Sequence, residues 1–323
     1  MNNYSWLQQK LHQIALSSQF MREVTFDVES SAISKKQSTD NHIFVAGLAR
    51  SGTTILLNAL YKSDEFASLS YQDMPFLLAP NLWSKLSFSK KDMNFIERAH
   101  GDGIKVSSES PEAFEEVFWM TFNESDEDTQ EKFKIYVQLI NQKYHKERYL
   151  SKNNQNIRRL ELISAIFPHS KIFIPYRNPI QHAYSLLSQH KRFIEDPKKD
   201  KFTSNYMRWI GHTEFGRNYI PIHDKNLNFK NDLDINHWLE QWYLTYHNCL
   251  VSLKDKDNVY FICYEQLCAS KEYWLDILKI SDIKETYDFE FKESQKDIPL
   301  EIENGIGNKA SSLYSELSNI ELR

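Results

Sequence analysis

The sequence predicts an α/β fold, a three-layer α/β/α sandwich around a mostly parallel central sheet. Two observations carry that expectation. Short apolar runs alternate with longer stretches of helical periodicity, the pattern of parallel strands joined by crossover helices. The first such run, His42–Ala46, opens directly into a glycine-bounded turn, Gly47–Thr54, and then a helix, Ile55–Tyr61. Strand, tight turn and helix form the opening unit of such sheets.

The elements follow in order. Residues 4–20 place Trp6, Leu7, Leu11, Ile14 and Phe20 at roughly helical spacing, which predicts an amphipathic leader helix. Residues 29–41 are polar and read as a linker, so residues 1–41 are an N-terminal helix and linker ahead of a single domain at 42–323. Further strands are expected at Phe66–Ser70, Tyr149–Lys152, Lys171–Tyr176 and Asn258–Cys263. Helices are expected at Pro111–Phe122, Thr129–Lys146, Asn156–Phe167, Ile180–Arg192, Ile235–Leu253 and Ala310–Leu322. Residues 195–234 break the alternation with charges, aromatics, Gly211 and Gly216; a loop-rich insertion of that length predicts a cover over a substrate site.

Composition narrows the class. The chain has 323 residues, 41% of them hydrophobic and 14% aromatic, enough for a substantial core. Its net charge of −5 argues against a dedicated nucleic-acid binder, which carries a basic excess. Three cysteines, Cys249, Cys263 and Cys268, cannot build a disulfide framework and suit a reducing compartment. No apolar run approaches the ~20 residues of a membrane span, and polar residues at 8–13 interrupt any signal-peptide core. A cytoplasmic globular protein is expected.

The most informative segment is Gly47-Leu48-Ala49-Arg50-Ser51-Gly52-Thr53-Thr54. Its Gly-x4-Gly frame between strand and helix is that of a P-loop, whose backbone N–H groups and helix dipole attract one anionic group. A nucleoside-triphosphate loop continues Gly-Lys-Ser/Thr. Here Thr53 follows Gly52 and the cation stands earlier, at Arg50, so the cradle is kept and the γ-phosphate lysine is lost. A second segment, Arg177-Asn178-Pro179, ends the Lys171–Tyr176 strand, and Ser185 follows on the next helix. Arginine at a strand's carboxyl end, with serine beside it, can grip a second phosphate by charge-assisted bonds. Open α/β sheets bind ligands at those ends.

Arg50-Ser51-Gly52-Thr53-Thr54 resembles the 5′-phosphosulfate loop of sulfotransferases that use 3′-phosphoadenosine 5′-phosphosulfate (PAPS). Arg177-Asn178-Pro179 with Ser185 resembles that family's 3′-phosphate motif, in which aspartate is commoner than Asn178. The run Phe261–Leu267 is similar to the family's late strand ending in Tyr-Glu-x-Leu, which places Tyr264 at the nucleotide. The likeness covers residues 42–192 and 235–270. It implies PAPS as co-substrate, 3′,5′-ADP as product and no metal. The family's late Arg-Lys-Gly loop is not recognisable; Glu303–Lys309 takes its place, with Lys309 supplying the charge.

The resemblance also implies where the chemistry sits. Arg50 faces the oxygen bridging sulfur and phosphate. Lys152, ending a strand, resembles a lysine of carbohydrate sulfotransferases near the sulfuryl group or acceptor. For the base that takes the acceptor's proton, Asp73 is the first choice, because several branches place a catalytic acid after the second strand. His100 competes, since the cytosolic branch uses a histidine at about this distance beyond the loop. Phe76, Trp83, Phe114, Trp119, Trp209 and Phe215 are core or pocket-wall candidates, with His212 and Glu214 as polar contacts. The acceptor expected is a small-molecule, lipid or carbohydrate hydroxyl. A P-loop kinase-like enzyme and a non-catalytic nucleotide-binding module are the alternatives; oligomeric state is not legible.

Overall fold

A computed structural model describes residues 5–33, 39–86, 96–97, 105–106, 110–195, 201–225, 227–253, 256–293, 295–320 and 322. In chain order these form α1 (Trp6–Ser17), α2 (Gln19–Ser31), β1 (Ile43–Val45), α3 (Thr53–Tyr61), β2 (Phe66–Ala67), α4 (Pro80–Leu86), β3 (Ile96–Glu97), β4 (Lys105–Val106), α5 (Glu116–Trp119), α6 (Thr129–Tyr144), β5 (Arg148–Lys152), α7 (Leu160–Ile166), β6 (Lys171–Tyr176), α8 (Pro179–Glu195), α9 (Lys201–Trp209), α10 (Ile235–Leu253), β7 (Val259–Cys263), α11 (Tyr264–Ala269), α12 (Lys271–Ile280) and α13 (Asn304–Ser318). Five strands make the central sheet in the order β2-β5-β1-β6-β7, while β3 and β4 form an antiparallel hairpin. The α/β class read from the sequence is the one observed. None of the described helices is long and apolar enough to cross a membrane.

The chain divides into two compact units. One comprises Met1–His42, Asp64–Ser151 and Pro197–His212; the other comprises Ile43–Ser63, Lys152–Asp196 and Thr213–Arg323.

In the first unit, β2 pairs in parallel with β5, Phe66 opposite Arg148 and Ala67 opposite Tyr149. Helix α6 buries Phe133, Tyr136, Val137 and Ile140, the i, i+3, i+4, i+7 stripe of an amphipathic helix. Phe118 stacks on Tyr136 at 5.0 Å, and Phe26 of α2 meets Phe122 edge-on at 5.0 Å. The leader is two helices where the sequence reading gave one. Ser18 breaks it with an extended backbone, and its hydroxyl accepts from the Met21 amide to start α2, which runs on into the expected linker. Pro111–Phe122 is helical only at Glu116–Trp119. Its start is drawn out along the exit of β2, with the Glu112 amide donating to Leu69 O at 3.0 Å.

In the second unit, β1, β6 and β7 are parallel, with Phe44 opposite Ile172 and Ile172 opposite Val259. All three residues of β1 are buried, as are Ile172–Tyr176 of β6. Helix α10 contributes the buried Trp242 and Tyr246, and the Tyr246 hydroxyl donates to Pro175 O at 2.8 Å, tying the helix to β6. Residues 304–309, read as a loop, are the first turns of α13. Glu303 caps that helix by accepting from the Ile306 amide at 2.9 Å, and Lys309 is exposed on it.

Glu29 of α2 is the clearest stability determinant of the first unit. Its carboxylate is buried and accepts from the Asn81 amide at 2.9 Å, Asn81 Nδ2 at 2.7 Å and the Leu82 amide at 2.9 Å, serving the start of α4. Glu29→Ala strands three donors and should cost about 2–4 kcal/mol. The urea midpoint should fall with little change in slope; an unchanged midpoint would contradict this reading.

Candidate active site

The site is built where β1 ends. The chain turns through Arg50 at φ 70° and Gly52 at φ 100°, both left-handed, before α3 begins. Gly52 is the N-cap of α3 and, having no side chain, leaves the first-turn amides without a side-chain cap. A helix start of that kind is suited to an anion. Glycine is required for another reason. A Cβ at Gly52 would lie 2.5 Å from Cδ2 of Tyr264, whose ring packs on the turn. The Tyr264 hydroxyl donates to Lys292 O at 3.0 Å, and burial, with Cys268 next, pushes its pKa up to about 12. It is therefore a neutral wall.

The second segment stands at the end of β6, the strand beside β1. Asn178 caps α8, its Oδ1 accepting from the amides of Ile180 and Gln181, both at 3.1 Å, with Pro179 at the first helical position. Asparagine and aspartate cap equally well. The Asn178 amide donates to Glu265 Oε1 at 2.8 Å, so the Tyr264-Glu265 pair braces both segments: tyrosine on the turn, glutamate on the start of α8. The Arg177 guanidinium lies 5.7 Å from the centre of the Tyr264 ring, within cation–π range.

Helix α8 then reaches back to the turn. His182 and Ser185, three residues apart, share one face. Arg50 Nε donates to Ser185 Oγ at 3.2 Å, and His182 Nε2 donates to Ala49 O at 2.8 Å. Burial pulls the His182 pKa down to about 3, against the Ala49 bond, which raises it; the positive charges of Arg177 and Arg50 lower it further. His182 is thus a neutral donor bracing a cationic site. Sequence reading missed it; its place in the first turn of a helix following Arg-Asn-Pro is the signal that was available.

Other predicted residues fall as follows. Ser51, Thr53 and Thr54 are buried in the turn or first turn of α3, and Thr53 Oγ1 donates to Asn154 Oδ1 at 3.2 Å. Lys152 is buried at the end of β5, just before Asn153, whose amide donates to Val45 O at 3.1 Å. Asn154 Nδ2 in turn donates to Glu214 Oε1 at 3.3 Å, which links a carboxylate of the 195–234 segment to the start of α3 through one side chain. Asn154 carried no sequence signal. Phe215 packs on Trp238 at 6.1 Å and Phe193 at 5.9 Å.

Asp73, the first-choice base, is in the other unit and is enclosed. Its side chain is 0% exposed and pairs with Lys143. Oδ2 accepts from the Ser70 amide and the Tyr144 hydroxyl, both at 2.7 Å. With Ser70 it forms the reciprocal cap of its own short 3-10 turn, Tyr71–Asp73. Both oxygens are engaged by the protein, so the geometry offers a structural carboxylate where the sequence suggested a catalytic one. His100 lies outside the described residues. Phe114 and Trp119 are buried core, Phe76 and Trp83 pack on each other at 5.2 Å, and Trp209 meets Phe202 at 6.2 Å; His212 belongs to this same unit. Among the described residues no group of three His, Cys, Asp or Glu side chains converges as a metal site.

Comparison with known proteins follows the same line. A family model described as "Sulfotransferase family" matches residues 42–278. The structure is similar to that of sulfotransferase STF1 from Mycobacterium tuberculosis H37Rv, with a TM-score of 0.50 and 12% identity, covering 97% of this chain and 84% of that one. It also matches sulfotransferase STF9 from Mycobacterium avium, with a TM-score of 0.42 and 12% identity over 98% and 79% of the two chains. The sulfotransferase domain from the curacin biosynthetic pathway matches with a TM-score of 0.42 and 12% identity, over 87% and 99%. No curated protein sequence gives a significant match.

Two measurements check the electrostatics. Asp73→Asn leaves Lys143 without its buried counter-charge and should cost about 2–4 kcal/mol in urea unfolding; a stability equal to the parent's would contradict the capping role. His182 and His42 are both held near a pKa of about 3 when folded, against 6.5 unfolded, mainly by burial. The unfolded chain therefore binds more protons between those values. The stability they contribute is complete above pH 6.5 and is lost as pH falls through that window toward 3. The urea midpoint should drop on moving from neutral pH to the middle of that window, and His182→Gln, which keeps a donor for Ala49 O, should drop less. An identical pH slope in the two chains would overturn the assignment.

Proposed function

The chain belongs to the sulfotransferase family, and from that premise we propose that it moves a sulfuryl group from PAPS to an acceptor hydroxyl, releasing 3′,5′-ADP. The observation that carries the reading is the Arg50–Ser185 hydrogen bond. It ties the Gly47–Thr54 turn to α8, at the ends of adjacent strands β1 and β6, which supports reading the two segments as one donor site.

The residues fit a bisphosphorylated nucleotide. The uncapped amides at the start of α3, with Ser51, Gly52, Thr53 and Thr54, would hold the 5′-phosphosulfate. Arg177 and Ser185 would hold the 3′-phosphate, and the Tyr264 ring would wall the site. Lys309 is exposed on α13, in a helix where the sequence suggested a phosphate loop. When bound, PAPS supplies an activated sulfuryl group. Arg50 would stabilise charge growing on the 5′-phosphate side as the sulfuryl group leaves, an interaction strengthened in the transition state. Lys152, buried at the end of β5, would supply a second cation there. The absence of Gly-Lys-Ser/Thr from the turn favours this reading over a triphosphate kinase.

A ligand that binds only the native state raises the melting temperature by mass action. 3′,5′-ADP should therefore stabilise the chain clearly more than adenosine 5′-monophosphate does. Arg177→Ala should erase most of the difference. Equal shifts from the two nucleotides would remove Arg177 and Ser185 from the donor site.

A further inference from the structure

Beside the turn, within the second unit, lies an open cleft of about 350 Å³, solvent-side space included. Its walls are mostly apolar: Leu48 of the turn, Leu186 of α8, Tyr219, Ile220, Ile222 and Trp238 of α10. The polar ends of the aromatic walls are turned to the protein. Trp238 Nε1 donates to Asp232 O at 2.9 Å. His237 Nδ1 donates to Phe229 O at 2.7 Å, and its Nε2 is paired with the Tyr219 hydroxyl at 2.8 Å. Gln241, also in the lining, is spent on both main-chain groups of His223, at 3.0 and 2.6 Å. Among the described residues of this lining Glu214 alone carries a formal charge.

Glu214 is placed for chemistry. Asn154 holds its Oε1 at 3.3 Å, and the same Asn154 receives the hydroxyl of Thr53, the first residue of α3, at 3.2 Å. Two hydrogen bonds thus connect the carboxylate to the start of α3, and Glu214 lines the cleft together with Leu48 and Ala49 of the same turn. A hydroxyl lying in the cleft would meet the turn on one side and a proton acceptor on the other.

We propose that this cleft is the acceptor site, that it takes an uncharged hydroxyl compound with an apolar body, and that Glu214 receives the hydroxyl proton. The proposal rests on the sulfuryl-transfer reading above. In the step, the acceptor oxygen forms a bond to sulfur while the bond from sulfur to the 5′-phosphate oxygen breaks. That electron pair leaves with 3′,5′-ADP, the acceptor proton passes to the Glu214 carboxylate, and it escapes to solvent through the open mouth. An anionic acceptor is disfavoured, because the lining offers it one like charge and no cation.

The first arm of the test is binding. Isothermal titration of the chain saturated with 3′,5′-ADP should detect a neutral aryl alcohol and show at least a tenfold weaker interaction with its carboxylate analogue. Ile220→Glu changes a rim residue that is 54% exposed, so folding is spared. It should weaken the neutral ligand at least fivefold while leaving the 3′,5′-ADP melting shift unchanged. Equal binding of the two ligands, or no effect of Ile220→Glu, would overturn the site.

The second arm is turnover. Glu214→Gln keeps the oxygen that Asn154 holds and removes the basicity. With a weakly acidic alcohol it should lose about 100-fold in kcat, the range of a positioned base. With a nitrophenol already ionised at the assay pH the loss should shrink to threefold or less, because no proton remains to be taken. An equal loss with both acceptors would make Glu214 structural and refute its role as base. Failure of 3′,5′-ADP to stabilise the chain would strike the donor reading instead, and the neutral-ligand arm, repeated on the unliganded chain, would still decide the cleft.

Discussion

Arg50 stands in a left-handed conformation that costs a non-glycine residue about 1–2 kcal/mol, and the hydrogen bond from its Nε to Ser185 is what turns that cost to use. It aims the guanidinium across the turn toward α8, and the neighbouring carbonyl is fixed by His182 from the same helix face. Helix α8 is itself aimed by Asn178, and Asn178 is held by Glu265. The site is therefore a closed chain of constraints, turn to α8 to α11 and back through the Tyr264 ring on Gly52. Loosening any member relaxes the others, because each is positioned by contact with the next.

Burial sets Asp73 and Glu29 apart from Glu214. Asp73 and Glu29 are enclosed and saturated with donors, and each organises a chain reversal or a helix start. A carboxylate so occupied has little to give to catalysis. Glu214 is half-buried, on a cleft, and hydrogen-bonded to a side chain that is itself tied to the first residue of α3. A base needs access to its substrate before its basicity matters, and by that measure Glu214 is easily told from the other two.

Much of this was legible in the sequence because it is local. Gly47–Thr54 between an apolar run and a helix, Arg177-Asn178-Pro179 with Ser185 on the following helix, and Tyr264-Glu265 after a strand are each read within a dozen residues. Helix α10 is observed at the boundaries its stripe of apolar residues predicts. What escaped is what depends on distant partners. Asn154 meets Thr53 across 101 positions and Glu214 across 60, and nothing near any of the three announces the link. Asp73 shows the opposite case. An acid just past a strand reads the same whether it faces a ligand or caps its own turn, and only Lys143 and Tyr144, far along the chain, decide between them. Glu303–Lys309 misled similarly, since glycines that suggest a loop sit in the first turn of a helix that Glu303 caps.

One nucleotide is proposed to span the Gly47–Thr54 turn and the Arg177–Ser185 segment, and the most direct measurement is the crystallographic position of the two phosphates of bound 3′,5′-ADP. The 5′-phosphate is expected against the backbone amides at the start of α3 and the 3′-phosphate against Arg177 and Ser185, with the Tyr264 ring alongside. A nucleotide bound away from the turn, or with its 3′-phosphate beyond reach of both Arg177 and Ser185, would contradict it.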